Sequence, residues 1–176
     1  MAFIINIKDL PEGISRHEFA VKASDFPLDY EGIEPTGMLS AKADITKSHD
    51  QIIFRGRVSA QSKLICSRCA EEFEKTIDEQ LVFVLSLIHE PQADELRDGD
   101  TEDFYFMPED TADYDFSSHI RELLILAVEI KPLCREDCLG ICPGCGKNLN
   151  FEKCECNKEK IDERWLPLRD LKDRRL

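Results

Sequence analysis

Between residues 39 and 87, hydrophobic and polar positions alternate with period two. Leu39, Ala41, Ala43 and Ile45 are interleaved with Ser40, Lys42, Asp44 and Thr46, the pattern of a strand with one buried face. The next run repeats it, with Phe54, Gly56, Val58, Ala60 and Leu64 on one face and Arg55, Arg57, Gln61 and Lys63 on the other. Phe73, Ile77, Leu81, Phe83, Leu85 and Leu87 line one face of a third, long strand. The break between the last two runs is Cys66-Ser67-Arg68-Cys69, which predicts a long antiparallel hairpin with those residues at its tip. A turn at Ser67 and Arg68 would set Arg57 opposite Asp78 and Lys63 opposite Glu72. Residues 3–8 read as a further short strand. After residue 116 the period changes: Ile120, Leu123, Leu124, Ala127 and Val128 follow helical spacing. This predicts a helix over about 117–130, capped by Asp115 or Ser117 and stopped by Pro132. Residues 90–115 contain the breakers Pro91, Gly99 and Pro108 and read as a long acidic loop, with 103–107 as a short edge strand inside it.

Eight cysteines change the picture. They form four close pairs: Cys66/Cys69, Cys134/Cys138, Cys142/Cys145 and Cys154/Cys156. Four pairs supply the ligands for two four-thiolate metal sites, because a pair two or three residues apart can grip one ion from a tight turn. In Cys142-Pro143-Gly144-Cys145-Gly146, proline sets one turn dihedral and glycine accepts the positive φ such turns need. The preferred grouping is Cys142, Cys145, Cys154 and Cys156 as one compact site. Cys145 and Cys154 are separated by a short loop, and extended backbone through Cys154-Glu155-Cys156 puts both sulfurs on one side. Cys66, Cys69, Cys134 and Cys138 then form the other site, tying the hairpin tip to the end of the helix. An interleaved grouping stays open, as does iron in place of zinc at four thiolates. The expected cofactor is therefore two structural zinc ions. The fold expected from both patterns is α+β: a mainly antiparallel β-sheet with a long hairpin, one principal helix and a C-terminal zinc-ribbon-like element. Residues 1–132 would form the β domain, and 133–176 a cysteine-rich element with a basic tail packed on it.

Disulfides are the competing use of these thiols. The N-terminal residues lack a secretory leader's basic region and apolar run, and no stretch approaches the ~20 apolar residues of a membrane span. The expected compartment is the cytoplasm, where thiols stay reduced. The net charge of −13 argues against a nucleic-acid binder at first sight. However, residues 71–116 hold 16 acidic residues against two basic ones, Lys75 and Arg97, and the remainder is nearly balanced. The acidity is a local feature, either a solvated loop or a dock for a basic partner.

The segment Leu133-Cys-Arg-Glu-Asp-Cys-Leu-Gly-Ile-Cys-Pro-Gly-Cys-Gly-Lys-Asn-Leu-Asn150, with Cys-Ser-Arg-Cys upstream and the ending Ile161-Asp-Glu-Arg-Trp-Leu-Pro-Leu168, resembles the YceD family of large ribosomal RNA subunit accumulation proteins. The resemblance implies a non-enzymatic role in ribosome biogenesis. The partner would be precursor large-subunit ribosomal RNA, a ribosomal protein, or both, with no membrane and no small-molecule substrate. Candidate contacts are Arg55, Arg57 and Lys63 on a strand face, Arg68 at the tip, and Trp165, the only tryptophan. Against these stand cross-strand ion pairing for Arg57 and Lys63 and simple anchoring of the tail for Trp165. An acidic adaptor for a basic ribosomal protein is the alternative. A thiol redox enzyme using Cys66 and Cys69 is a weaker one, since redox pairs of this spacing open a helix whereas this pair lies between strands. The four histidines form no metal-binding pair, so no catalytic residue is assigned.

Overall fold

A computed structural model of the chain describes residues 3–26, 28, 30, 32–88 and 104–156. Five strands form one sheet in the order β2 (Gly13–Lys22), β3 (Ile33–Ser48), β4 (Gln51–Ile65), β5 (Glu72–Ile88) and β6 (Phe104–Pro108). The first four pair antiparallel, and β6 runs parallel to β5. A two-stranded sheet pairs β1 (Ile4–Asn6) with β7 (Asp113–Asp115), and one helix, α1 (Ser117–Leu126), follows.

The period-two alternation accounts for the buried face. Leu39, Ala41, Ala43 and Ile45 of β3, Phe54, Val58, Ala60 and Leu64 of β4, and Ile77, Leu81, Phe83 and Leu85 of β5 are all buried. Phe3, Phe116, Ile120 and Leu124, each fully buried, belong to the same core. Phe116 anchors it, with ring centroids 4.9 Å from Phe54, 5.0 Å from Phe19 and 5.6 Å from Phe3. Aromatic pairs in tilted and edge arrangements add to the area they bury.

Four features depart from the expectations. Strand β2 has no counterpart in the predicted elements. The expected loop over 90–115 holds the short edge strand expected inside it, as β6, and a second, unexpected strand, β7; its residues 90–103 lie outside the described ones. The helix ends at Leu126, with Ala127 N donating to Leu123 O as its last i→i+4 bond, several residues before Pro132. Pro132 constrains only Lys131 and lacks the N–H that would bond Val128 O, so it does not set the end at Leu126. Finally, the β4–β5 loop spans residues 66–71 and pairs Ile65 with Glu72, so Arg57 faces Gln80 and Lys63 faces Glu74. This is a slip of two residues, which leaves every side chain on its expected face because the strand period is two.

Candidate metal centres

The loop between β4 and β5 is built around its cysteines. Cys66 N donates to Glu71 O at 2.9 Å, Ala70 N to Cys66 O at 2.9 Å, and Ala70 takes the left-handed backbone at φ 59°. The same turn recurs 76 positions on. There Cys142 N donates to Lys147 O at 2.8 Å, Gly146 N to Cys142 O at 2.9 Å, and Gly146 has φ 75°. Two knuckles of one backbone geometry thus arise from Cys-Ser-Arg-Cys-Ala and Cys-Pro-Gly-Cys-Gly, the first without glycine at the position that prefers it.

Each knuckle gathers a second pair of sulfurs. Cys66, Cys69, Cys134 and Cys138 form one group, and Cys142, Cys145, Cys154 and Cys156 the other; within each, all four sulfurs lie within 4.8 Å of one another. This is the preferred grouping, and the interleaved one is not what the chain adopts. All eight thiols are free of disulfides. In the first group Cys66 Sγ lies 3.8 Å from Cys138 Sγ, and Cys69 Sγ 3.8 Å from Cys134 Sγ. Four sulfurs placed tetrahedrally at about 2.3 Å from a central ion are separated by roughly 3.8 Å, so these two separations match the edge of such a tetrahedron. The second group is tighter, with Cys142 to Cys154 at 3.2 Å and Cys145 to Cys154 at 3.5 Å. Both groups could hold a metal ion.

The groups differ in surroundings. Cys66, Cys69 and Cys138 are buried beside Phe73 and Leu133, whereas the second group buries Cys142 and exposes Cys145. Burial opposes ionisation of Cys66 most strongly, yet the backbone N–H groups of Cys134, Cys69 and Arg68 outweigh it and draw the thiol down to about 6. Cys142 is drawn to about 6 by the Cys154 side chain and by the N–H groups of Gly144 and Cys145. In contrast, Cys134 is pushed up to about 12 by burial and by its sulfur neighbours, and Cys156 to about 12 by Cys154 and Cys145. In the first cluster Cys66 and Cys138 are drawn down while Cys69 and Cys134 are raised, and in the second Cys142 is drawn down while Cys154 and Cys156 are raised, so each cluster resists full ionisation of its four thiols. A bound cation removes that resistance, because it replaces mutual repulsion of the sulfurs by attraction to one centre.

Further groups hold the sites in place. Ser67 N donates to Pro132 O at 2.8 Å, joining the first knuckle to the chain beyond α1. Asn150 had no expected role, yet its Nδ2 donates to Cys138 Sγ at 3.3 Å. Gly140, at φ 74°, lies so close to the first knuckle that an added Cβ would come within 2.9 Å of Arg68 O.

Of the candidate partner-contact residues, Arg55, Arg57 and Lys63 share the outward face of β4 and Arg68 lies in the first knuckle. Arg68 Nη1 donates to the carbonyls of Glu136 at 3.0 Å and Cys138 at 3.1 Å, which makes it part of the scaffold. Arg57 pairs with Asp78 at 3.4 Å. Arg55 is exposed and Lys63 half-buried on the outward face of β4, and neither makes an ion pair among the described residues. Trp165 lies outside the described residues. Of the histidines, His119 is buried, bonded to Tyr114 Oη and stacked on Phe83 with centroids 4.5 Å apart. No helix among the described residues is long and apolar enough to cross a membrane.

The chain is similar to known proteins over most of its length. The family model for large ribosomal RNA subunit accumulation protein YceD matches residues 54–172. A chloroplastic protein of Arabidopsis thaliana, named as a homologue of that accumulation protein, is 28% identical over 156 residues, covering 77% of this chain and 49% of the relative. Its Zea mays counterpart is 26% identical over 159 residues, covering 76% of this chain and 54% of the relative. An uncharacterised protein of Mycobacterium tuberculosis is 25% identical over 152 residues, 86% of this chain and 70% of its own length. The chain thus spans about half the length of the plant relatives. No solved structure matches it.

Proposed function

This chain belongs to the YceD family of large ribosomal RNA subunit accumulation proteins, and we propose that it is a non-enzymatic ribosome-biogenesis factor. It supports accumulation of large-subunit ribosomal RNA by binding precursor RNA or a ribosomal protein, with a zinc ion at each four-cysteine cluster as scaffold. One observation carries this reading: the family match over residues 54–172 takes in both cysteine clusters, all of β5 and β4 from Phe54 onward.

Zinc suits the donor set, since four thiolates saturate a tetrahedral ion and leave no open position for a substrate. Its role is then to order segments with little core of their own. Residues 133–156 carry few large apolar side chains, and Leu139 is 65% and Phe151 77% exposed. The Cys142–Gly146 knuckle, the Ile141–Asn148 antiparallel bridge and Cys154/Cys156 would make a C-terminal zinc-ribbon-like element packed on a β domain of residues 1–132, whose β4 and β5 would form the long hairpin. Free thiols suit a reducing compartment, such as the cytoplasm.

Loss of the gene should lower large-subunit relative to small-subunit ribosomal RNA, with recovery on re-expression; an unchanged ratio contradicts the proposal. For the contact itself, the outward face of β4 is tested by replacing Arg55, Arg57 and Lys63 with Ala. If that face meets RNA, capture of precursor RNA should fall and the salt dependence of binding should flatten. Unchanged capture removes these residues.

The adaptor reading has one observation in its favour. Glu72, Glu74 and Asp78 are exposed along the outward face of β5, and Asp78 already neutralises Arg57. A basic ribosomal protein would find that edge attractive. The centre of the acidic segment, residues 90–103, lies outside the described ones. A salt-sensitive complex that survives deletion of residues 92–110 would place the dock on β5 instead.

A further inference from the structure

We propose that the two four-cysteine sites are thermodynamically coupled, and that Asn150 couples them. The inference rests on the metal-binding reading above. By chain position Asn150 belongs to the second site, in the loop between Cys145 and Cys154. Its side chain faces the first. Nδ2 donates to Cys138 Sγ at 3.3 Å and to Asn148 Oδ1 at 2.8 Å. Oδ1 accepts from Arg135 Nη2 at 2.7 Å and from Leu139 N at 2.9 Å. One carboxamide thus holds a ligand sulfur of the first site and the backbone arch that carries Cys134 and Cys138.

The surrounding contacts run the same way. Leu149 N donates to Gly140 O at 2.8 Å and Ile141 N to Arg68 O at 3.0 Å. Asn148 Nδ2 donates to Glu71 Oε1 at 3.2 Å, in the first knuckle. An N–H aimed at a ligand sulfur orients it and stabilises its charge, and such partners are worth about 10–100-fold in metal affinity. Little apolar burial fixes the Asn150 loop independently, as Phe151 beside it is 77% exposed. Its ends are fixed by Cys145 and Cys154. A metal at the second site clamps those ends and presents Asn150 to the first, and by linkage a metal at the first site strengthens the second by the same factor.

The test uses the full chain and Zn2+ alone in competition with a chelator, with Co2+ thiolate absorption as an optical check. C142S/C145S leaves only the first site and C66S/C69S only the second. The wild-type chain should bind two ions with a product of affinities about 10–100-fold above the product of the two single-site values. N150D keeps the Oδ1 acceptor and removes both Nδ2 donors; it should abolish most of that excess in the chain with both sites. In the C142S/C145S background N150D should change first-site affinity by less than about twofold, because the loop is already released. Two ions bound with affinities that simply multiply would overturn the coupling while leaving the metal reading intact. Coupling that persists in N150D would overturn the role of Asn150. A wild-type chain that binds no ion would overturn both.

Discussion

At the residue scale, three positions separate what the fold tolerates from what it needs. Ala70 holds a left-handed backbone that its equivalent, Gly146, adopts without a Cβ. A residue with a side chain there costs about 1 kcal/mol, partly offset by the greater unfolded freedom of glycine. A70G should therefore raise stability by about 0.5 kcal/mol, measured by denaturant unfolding of the metal-loaded protein; a loss of stability would show that the Ala70 methyl packs favourably. Gly140 is the reverse case. G140A adds a carbon 2.9 Å from Arg68 O at φ 74°, so it should cost about 1–3 kcal/mol and separate the two knuckles. Ser62 is fully buried with no partner for Oγ among the described residues. An unsatisfied buried hydroxyl costs about 1–3 kcal/mol, so S62A should stabilise the sheet. Unchanged or lower stability would point to a partner for Oγ in solution.

At the element scale, helix α1 has Phe116 at its N-cap position rather than the expected Asp115 or Ser117, and Asp115, one residue ahead, accepts from Ser117 N at 2.9 Å through Oδ1. The Ser117 hydroxyl, then its N–H, holds this carboxyl below its ordinary pKa against the opposing effect of burial. A depressed carboxyl contributes stability that is present above the unfolded pKa and lost as pH falls through the folded one. D115A should thus cost about 1 kcal/mol near neutral pH through loss of this hydrogen bond, and the difference from wild type should shrink in acid below about pH 4. A pH-independent difference would remove the carboxylate from the account. The cysteine-rich element behaves differently. C142S should release amide protection in residues 141–156 while strands β3, β4 and β5 keep theirs in hydrogen exchange. Loss of protection throughout the sheet would mean that the element is not separable.

The same scale shows what was legible beforehand. Strands β3, β4 and β5 were readable because each buries an unbroken series of alternate residues, and the cysteine pairs because their spacing restricts which sulfurs can meet. Strand β2 was not: its inward face is Ser15, His17, Phe19 and Val21, with Ile14 pointing outward at 75% exposure. An edge strand paired on one side needs less apolar surface than a central one, so the alternation fades. Asn150 was invisible for another reason. Its partner Cys138 lies twelve positions away, and no local pattern marks an amide that serves a sulfur across a loop. Arg68 pointed outward as a charge on a tip, and only the fold shows its guanidinium turned back onto two carbonyls.

At the scale of the whole molecule, a β-sheet core and two sulfur clusters share the work of stability. The core is continuous from β1 to α1, whereas the clusters hold residues 66–71 to 133–156, where apolar burial is thin. Structural zinc can contribute about 10–16 kcal/mol of apparent binding energy at neutral pH, much of it folding energy. The central claim is therefore a metal count. Protein purified without added metal, and assayed for zinc and iron per chain, should carry two zinc ions and no titratable free thiols. One ion or none, with free thiols open to titration, would contradict the account.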